Sequence, residues 1–274
     1  MKYVTIEERQ KILKFNIQDE LNLAIKYCND KLHPVFNTYM AVFFKDFPLK
    51  GLSFNYQHFV DDMVNIPIKQ FVKEEDYESA FLCLCDFVIN THTFLKDKQI
   101  YGHGIYDNRL PDLNQFLKRI SKVMHDLGYE FTKSTNNKAV YIIKEINIVA
   151  DVVLATIKDP LITRNVIEYL RYGINVKQKQ DILEDMYKHF EGLSIVGGQA
   201  IDTLKNLFNS GLRHTAECKI KNPQIFEYVS NNVNNNEFMD KNFNLFLECY
   251  LHSVNANYIK EIETISRIKK SSLN

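Results

Sequence analysis

Residues that break helices are scarce in this chain, with nine glycines and six prolines among 274 residues. Between them lie long runs whose apolar residues recur at helical spacing, so the sequence predicts a mainly α fold. Residues 5–30 read as one or two amphipathic helices, with Thr5 and Glu8 spaced as a capping box. Further helices are expected over about 33–47, ending near Pro48, and over 52–66, ending before Pro67. Residues 75–95 are apolar almost throughout and should be buried. The loop that follows holds Gly102, His103, Gly104 and Pro111. Leu113–Leu127 return to helical spacing, and Gly128 is placed to stop that helix.

One stretch departs from this pattern. Tyr129, Phe131 and Lys133 alternate with Glu130 and Thr132, a polar Ser-Thr-Asn-Asn turn follows, and Val140–Ile143 are mostly β-branched. The pattern predicts a small β-hairpin over residues 129–144, which must pack on helices to be stable. Beyond it, Asp159-Pro160 reads as a cap followed by the first helical residue, and Asn175 can cap the next helix. The polar run around residues 222–240 reads as a loop with room for a short helix. A long helix is expected over about 238–268, followed by a frayed tail. We divide the chain into an N-terminal helical region, 1–110, and a C-terminal helical domain, 111–274, that includes the hairpin. A softer division near residue 150 fits the pattern as well.

Lys plus Arg equal Asp plus Glu, at 34 each. A neutral chain argues against a surface devoted to gripping nucleic acid, though a local basic groove is compatible with it. The five cysteines, Cys28, Cys83, Cys85, Cys218 and Cys249, form no disulfide framework or zinc-type pairing. No metal or cofactor is expected. No apolar run is long enough to span a bilayer and no secretory leader is visible, so the expectation is a cytoplasmic protein without a membrane partner. The sequence patterns of phosphate loops, dinucleotide folds, nucleophile elbows and zinc proteases are absent.

Two Arg–His pairs are the candidates for chemistry. Arg213 and His214 adjoin one another just past Gly211. Arg119 and His125 lie six positions apart within a predicted helix. Arginine can hold a phosphate and histidine can move a proton near neutral pH, the combination used in metal-independent RNA cleavage. Helical geometry separates Arg119 and His125 by about 120° and about 9 Å along the axis. Adjacent residues point about 100° apart, so Arg213 and His214 are poor partners on regular backbone. The alternative for both pairs is structural, with Glu184 or Asp185 as a carboxylate for Arg213.

The segments Leu207-Phe208, Gly211-Leu212-Arg213-His214 and Asn255-Ala256-Asn257-Tyr258-Ile259 resemble the C-terminal part of phage-resistance proteins of the AbiJ type. Gly128-Tyr129-Glu130-Phe131 resembles the start of that family's hairpin, and the likeness extends over residues 112–265. Such proteins are similar to the HEPN superfamily of helical bundles, which are often dimeric and include toxin ribonucleases. The resemblance implies an abortive-infection effector acting as a metal-independent endoribonuclease, with Arg213 and His214 catalytic and Arg119 and His125 in reserve. The implied partners are RNA, a phage protein or partner subunit, and a second copy of the chain. In the HEPN motif several residues separate Arg from His, whereas His214 follows Arg213 directly. The competing reading is a non-catalytic helical module that binds a phage protein or a partner subunit.

Overall fold

The computed structural model of the protein describes residues 16–99, 110, 112–137, 139–191 and 214–271. It is mainly α-helical with one two-stranded antiparallel hairpin, and it divides into two compact units, 1–146 and 147–274. The capping box at Thr5, the loop around His103 and Gly197–Gly211 lie outside the described residues.

In the first unit, α1 (Ile17–Tyr27) runs through a π-turn (Cys28–Leu32) into α2 (His33–Phe43). The same sequence of elements recurs where α3 (Tyr56–Val60) passes through a second π-turn (Asp61–Asn65) into α4 (Ile66–Lys73). Both π-turns stand immediately before an X-Pro pair, His33-Pro34 and Ile66-Pro67. Proline has no N–H, and its ring collides with the carbonyl four residues earlier in an α-helix. Widening the turn relieves that collision. The last N–H before each proline reaches back five residues, from His33 to Cys28 and from Ile66 to Asp61. This corrects the expectation of a helix over 52–66 ending before Pro67: the helix begins at Tyr56 and continues past the proline.

The long helix α5 (Tyr77–Gln99) is the axis of this unit. Its buried side chains include Phe81, Leu84, Phe87, Val88 and Phe94, as the apolar run predicts. Rings from the surrounding elements close on it: Phe47 meets Phe94 at 5.1 Å and Phe59 at 5.3 Å. The next helix, α6 (Leu113–Leu127), ends at Gly128, whose φ of 93° lets its N–H reach the His125 carbonyl at 3.0 Å. Strands β1 (Tyr129–Lys133) and β2 (Tyr141–Glu145) pair with Phe131 opposite Ile143. Three consecutive residues of β2, Ile142, Ile143 and Lys144, are buried rather than alternate ones. Lys144 is paired across the hairpin with Glu130 at 2.6 Å.

Asn90 fastens the hairpin to α5. Its side-chain amide accepts from the Tyr141 N–H at 2.7 Å and donates to the Tyr141 carbonyl at 3.0 Å. It thus takes the place of one residue of a third strand. The hairpin and α6 lie in the first compact unit, which ends at Ile146.

The second unit begins at Asn147, which caps α7 (Ile148–Thr156). Asp159 caps α8 (Pro160–Tyr169), and its carboxylate accepts from the Leu161 and Ile162 amides. Asn175 and Gln178 bond reciprocally, each at 2.9 Å, at the start of α9 (Val176–Glu191). Beyond lie α10 (Thr215–Lys221), α11 (Pro223–Asn232) and the long α12 (Asn236–Ser271). The short helix for which the run near 222–240 left room is α11, which opens with Pro223 in its first turn. The core gathers Ile162, Val166, Met186, Tyr187, Phe243 and Phe246, with Tyr169 stacked on Phe243 at 3.9 Å.

Candidate recognition groove

Helices α1 and α6 border an open groove of about 870 Å³ in the first unit. Its apolar lining comes from Leu23, Ala24 and Tyr27 on one side and Phe116, Ile120 and Val123 on the other. Leu23 is 50% exposed, while Ala24, Phe116, Ile120 and Val123 are buried. The spacing explains the geometry. Positions 20, 23, 24 and 27 fall on one stripe of α1, and 116, 119, 120 and 123 on one stripe of α6.

Two side-chain bridges span the helices. Tyr27 and Phe116 stack with ring centroids 4.1 Å apart. Arg119 holds Glu20 in a two-pronged pair, Nε to Oε2 at 2.9 Å and Nη2 to Oε1 at 2.8 Å. The hydrogen bonds and charge of Glu20 raise the guanidinium pKa further. Burial, then the nearby Asp112 carboxylate and Cys28, raise the Tyr27 phenol pKa above its usual value. Lys118 and Lys122 line the groove beside Asp112 and Asp126, so its charge is mixed.

Of the residues that the sequence singled out, the structure describes Arg119, His125 and His214. Arg119 lies in this groove, and its guanidinium already engages a carboxylate. Glu20 takes two of the guanidinium's five N–H donors and balances its charge. His125 is exposed in the last turn of α6 and is absent from the groove lining. His214 is exposed at the N-cap position of α10 and makes no side-chain cap bond there. Arg213 lies outside the described residues. Asp185, considered above as a carboxylate for Arg213, accepts from Asn165 at 2.8 Å and from Arg164 at 3.3 Å.

A second polar cluster escaped the sequence reading. His189, near the end of α9, meets the Asp159 carboxylate at 2.7 Å. Burial opposes ionisation of Asp159, but His189 and the two capping amides outweigh it and hold the carboxyl below the usual range. Asp159 was legible as a cap, whereas its meeting with a residue thirty positions later required the fold. Among the described residues, no group of three or more His, Cys, Asp or Glu side chains is placed to hold a metal ion. Comparison with family models, with curated proteins and with solved structures finds no match.

Proposed function

We propose that this chain acts by recognition, taking an apolar-faced helical segment of another protein into the groove between α1 and α6. In the defence setting implied by the AbiJ-type resemblance, the bound segment belongs to a phage protein or a companion subunit. The observation that carries the reading is the groove itself: an apolar floor, a half-exposed Leu23 at its lip, and mixed charge along its edges. That combination suits a helix seated by side chains at helical spacing. Cells expressing the chain are expected to resist a phage, and Leu23→Asp is expected to abolish resistance while leaving the melting temperature unchanged. Undiminished resistance in a folded Leu23→Asp variant would overturn the groove reading. Absence of resistance from the intact chain across a phage panel would overturn the defence reading.

One observation favours a second reading, as a metal-independent endoribonuclease: the His214 side chain stands exposed at the entry to α10. In that reading Arg213 binds the phosphate and His214 transfers the proton. Induced expression is then expected to arrest growth and fragment total RNA, and both effects should disappear in Arg213→Ala and His214→Ala. Intact RNA during full growth arrest would exclude it.

A further inference from the structure

The segment between α2 and α3 combines features that neither the groove nor the Arg–His pairs use. Leu52 is 96% exposed and Phe54 is 91% exposed. Their exposure is built into the backbone. The segment is rooted by Phe47, which is buried among Phe44, Phe59 and Phe94. Two successive turns lead outward from it, with the Lys50 N–H on the Phe47 carbonyl at 3.2 Å and the Ser53 N–H on the Lys50 carbonyl at 2.9 Å. Gly51 sits in the second turn at φ 54°, where a residue without Cβ is unstrained. Asn55 then closes the segment by capping α3, accepting from the His58 N–H at 2.9 Å. The result is a pinned finger with two large apolar side chains at its tip.

Behind the tip the charge is cationic. Lys98 pairs with Asp46 at 2.9 Å. That hydrogen bond, with the added fields of Lys98, Lys45 and Lys50, holds the Asp46 carboxyl below its usual range. Lys98 pairs with the one carboxylate while Lys45 and Lys50 add to the positive field on it, leaving an excess of positive charge at the root of the finger. The Lys50 ammonium donates to the Lys45 carbonyl, which keeps the two lysines together.

We propose that residues 49–55 insert into an anionic lipid surface, with Leu52 and Phe54 entering the boundary between headgroups and acyl chains and Lys45 and Lys50 meeting lipid phosphates. Charge complementarity supports this occupant. So does area: a stable protein interface buries about 800 Å² on each partner. Here the residues between and beside the two apolar side chains are Gly51, Ser53 and Asn55, too small and polar to extend an interface core. A bilayer requires no shape-complementary pocket, and leucine and phenylalanine backed by lysine are the residues that interfacial segments use. The mode of binding is peripheral and reversible, consistent with the finding that no described helix is long and apolar enough to cross a membrane.

The chain contains no tryptophan, so Phe54→Trp creates a single fluorescent reporter at the tip. Vesicles of phosphatidylglycerol mixed equally with phosphatidylethanolamine are expected to shift its emission to the blue and to carry the full-length protein to the pellet. Losing two inserted apolar side chains, Leu52→Ser/Phe54→Ser is expected to lower the partition coefficient by at least about tenfold. Its melting temperature should stay unchanged, because both side chains are already in water. Lys45→Glu/Lys50→Glu should remove the preference over vesicles of phosphatidylcholine alone. An unshifted emission with protein left in the supernatant would overturn the proposal. Sedimentation that is equal for the wild type and the folded serine variant would do so too.

Discussion

Asn90 offers the sharpest test of how this fold is held together. It is 2% exposed on α5 and completes both hydrogen bonds of the Tyr141 backbone at the edge of β2. Asn90→Ala removes both bonds, each worth about 1 kcal/mol net. It also leaves a partly buried N–H and carbonyl without those partners, adding about 1 kcal/mol or more. The expected cost is therefore about 3 kcal/mol, measured by urea unfolding of the full chain followed by circular dichroism. The adjacent Thr91 supplies the control. Its side chain is fully buried, yet its hydroxyl has no hydrogen-bond partner among the described residues. Thr91→Val changes shape little and removes an unsatisfied group, so it should be neutral or stabilising by up to about 1 kcal/mol. Hydrogen exchange at the Tyr141 amide gives a local readout, expected to quicken strongly in Asn90→Ala and to stay slow in Thr91→Val. If Asn90→Ala costs less than about 1 kcal/mol and Tyr141 exchange is unaltered, the amide does not fasten the hairpin and the reasoning fails.

Three further outcomes are expected. Arg119→Ala should cost no more than about 1 kcal/mol in thermal unfolding, because the Arg119 side chain is 57% exposed although Glu20 is only 14% exposed; a loss of several kcal/mol would mean that the pair supports the groove far more than its exposure allows. The folded Asp159 carboxyl lies below its unfolded value, so its contribution is present above about pH 4 and lost as acid carries it through the folded value. Asp159→Asn should therefore flatten part of the acid limb of the stability profile, and an unchanged limb would refute the role given to His189 and the capping amides. Burial pushes the Cys28 thiol up to about 12, raises Cys85 well above its usual range, and, together with Asp86, brings Cys83 to about 11. All three should resist iodoacetamide at neutral pH in the folded protein, as read by mass spectrometry, and become reactive together in urea.

Local chemistry made much of this structure legible in advance. Gly128, Asp159 and Asn175 act at helix ends where their side chains or dihedral freedom predict, and the alternation after Gly128 marks a true hairpin. What escaped depends on tertiary context. Three consecutive buried residues in β2 reflect helices packed around the hairpin, and no alternation rule contains them. Residues 222–240 read as a loop with room for a short helix, but that Ile225, Val229 and Val233 bring this helix onto the core of the second unit is set by the fold. The candidate groove was half visible. Arg119 stood out as a charge for phosphate, but its partner Glu20 lies ninety-nine positions away, and only the fold turns that arginine into a bridge. Leu52 and Phe54 carried no signal at all, since two apolar residues in a short segment look like the start of a helix.

The two π-turns have a consequence for chain length. A π-turn accommodates one residue more than the surrounding α-helix while the helix beyond it keeps its aim. At Cys28–Leu32 and Asp61–Asn65 this protein therefore carries a spare residue whose removal, with the following proline replaced by a residue that has an N–H, would close the wide turn into ordinary α-helix. Leu32 and Phe36 on one side, and Val64 and Ile68 on the other, are the buried residues whose placement such a deletion must preserve. Related chains can thus differ by one residue at each of these places and still present the same faces to the core, so a gap opposite either proline is a conservative change rather than a break in the fold.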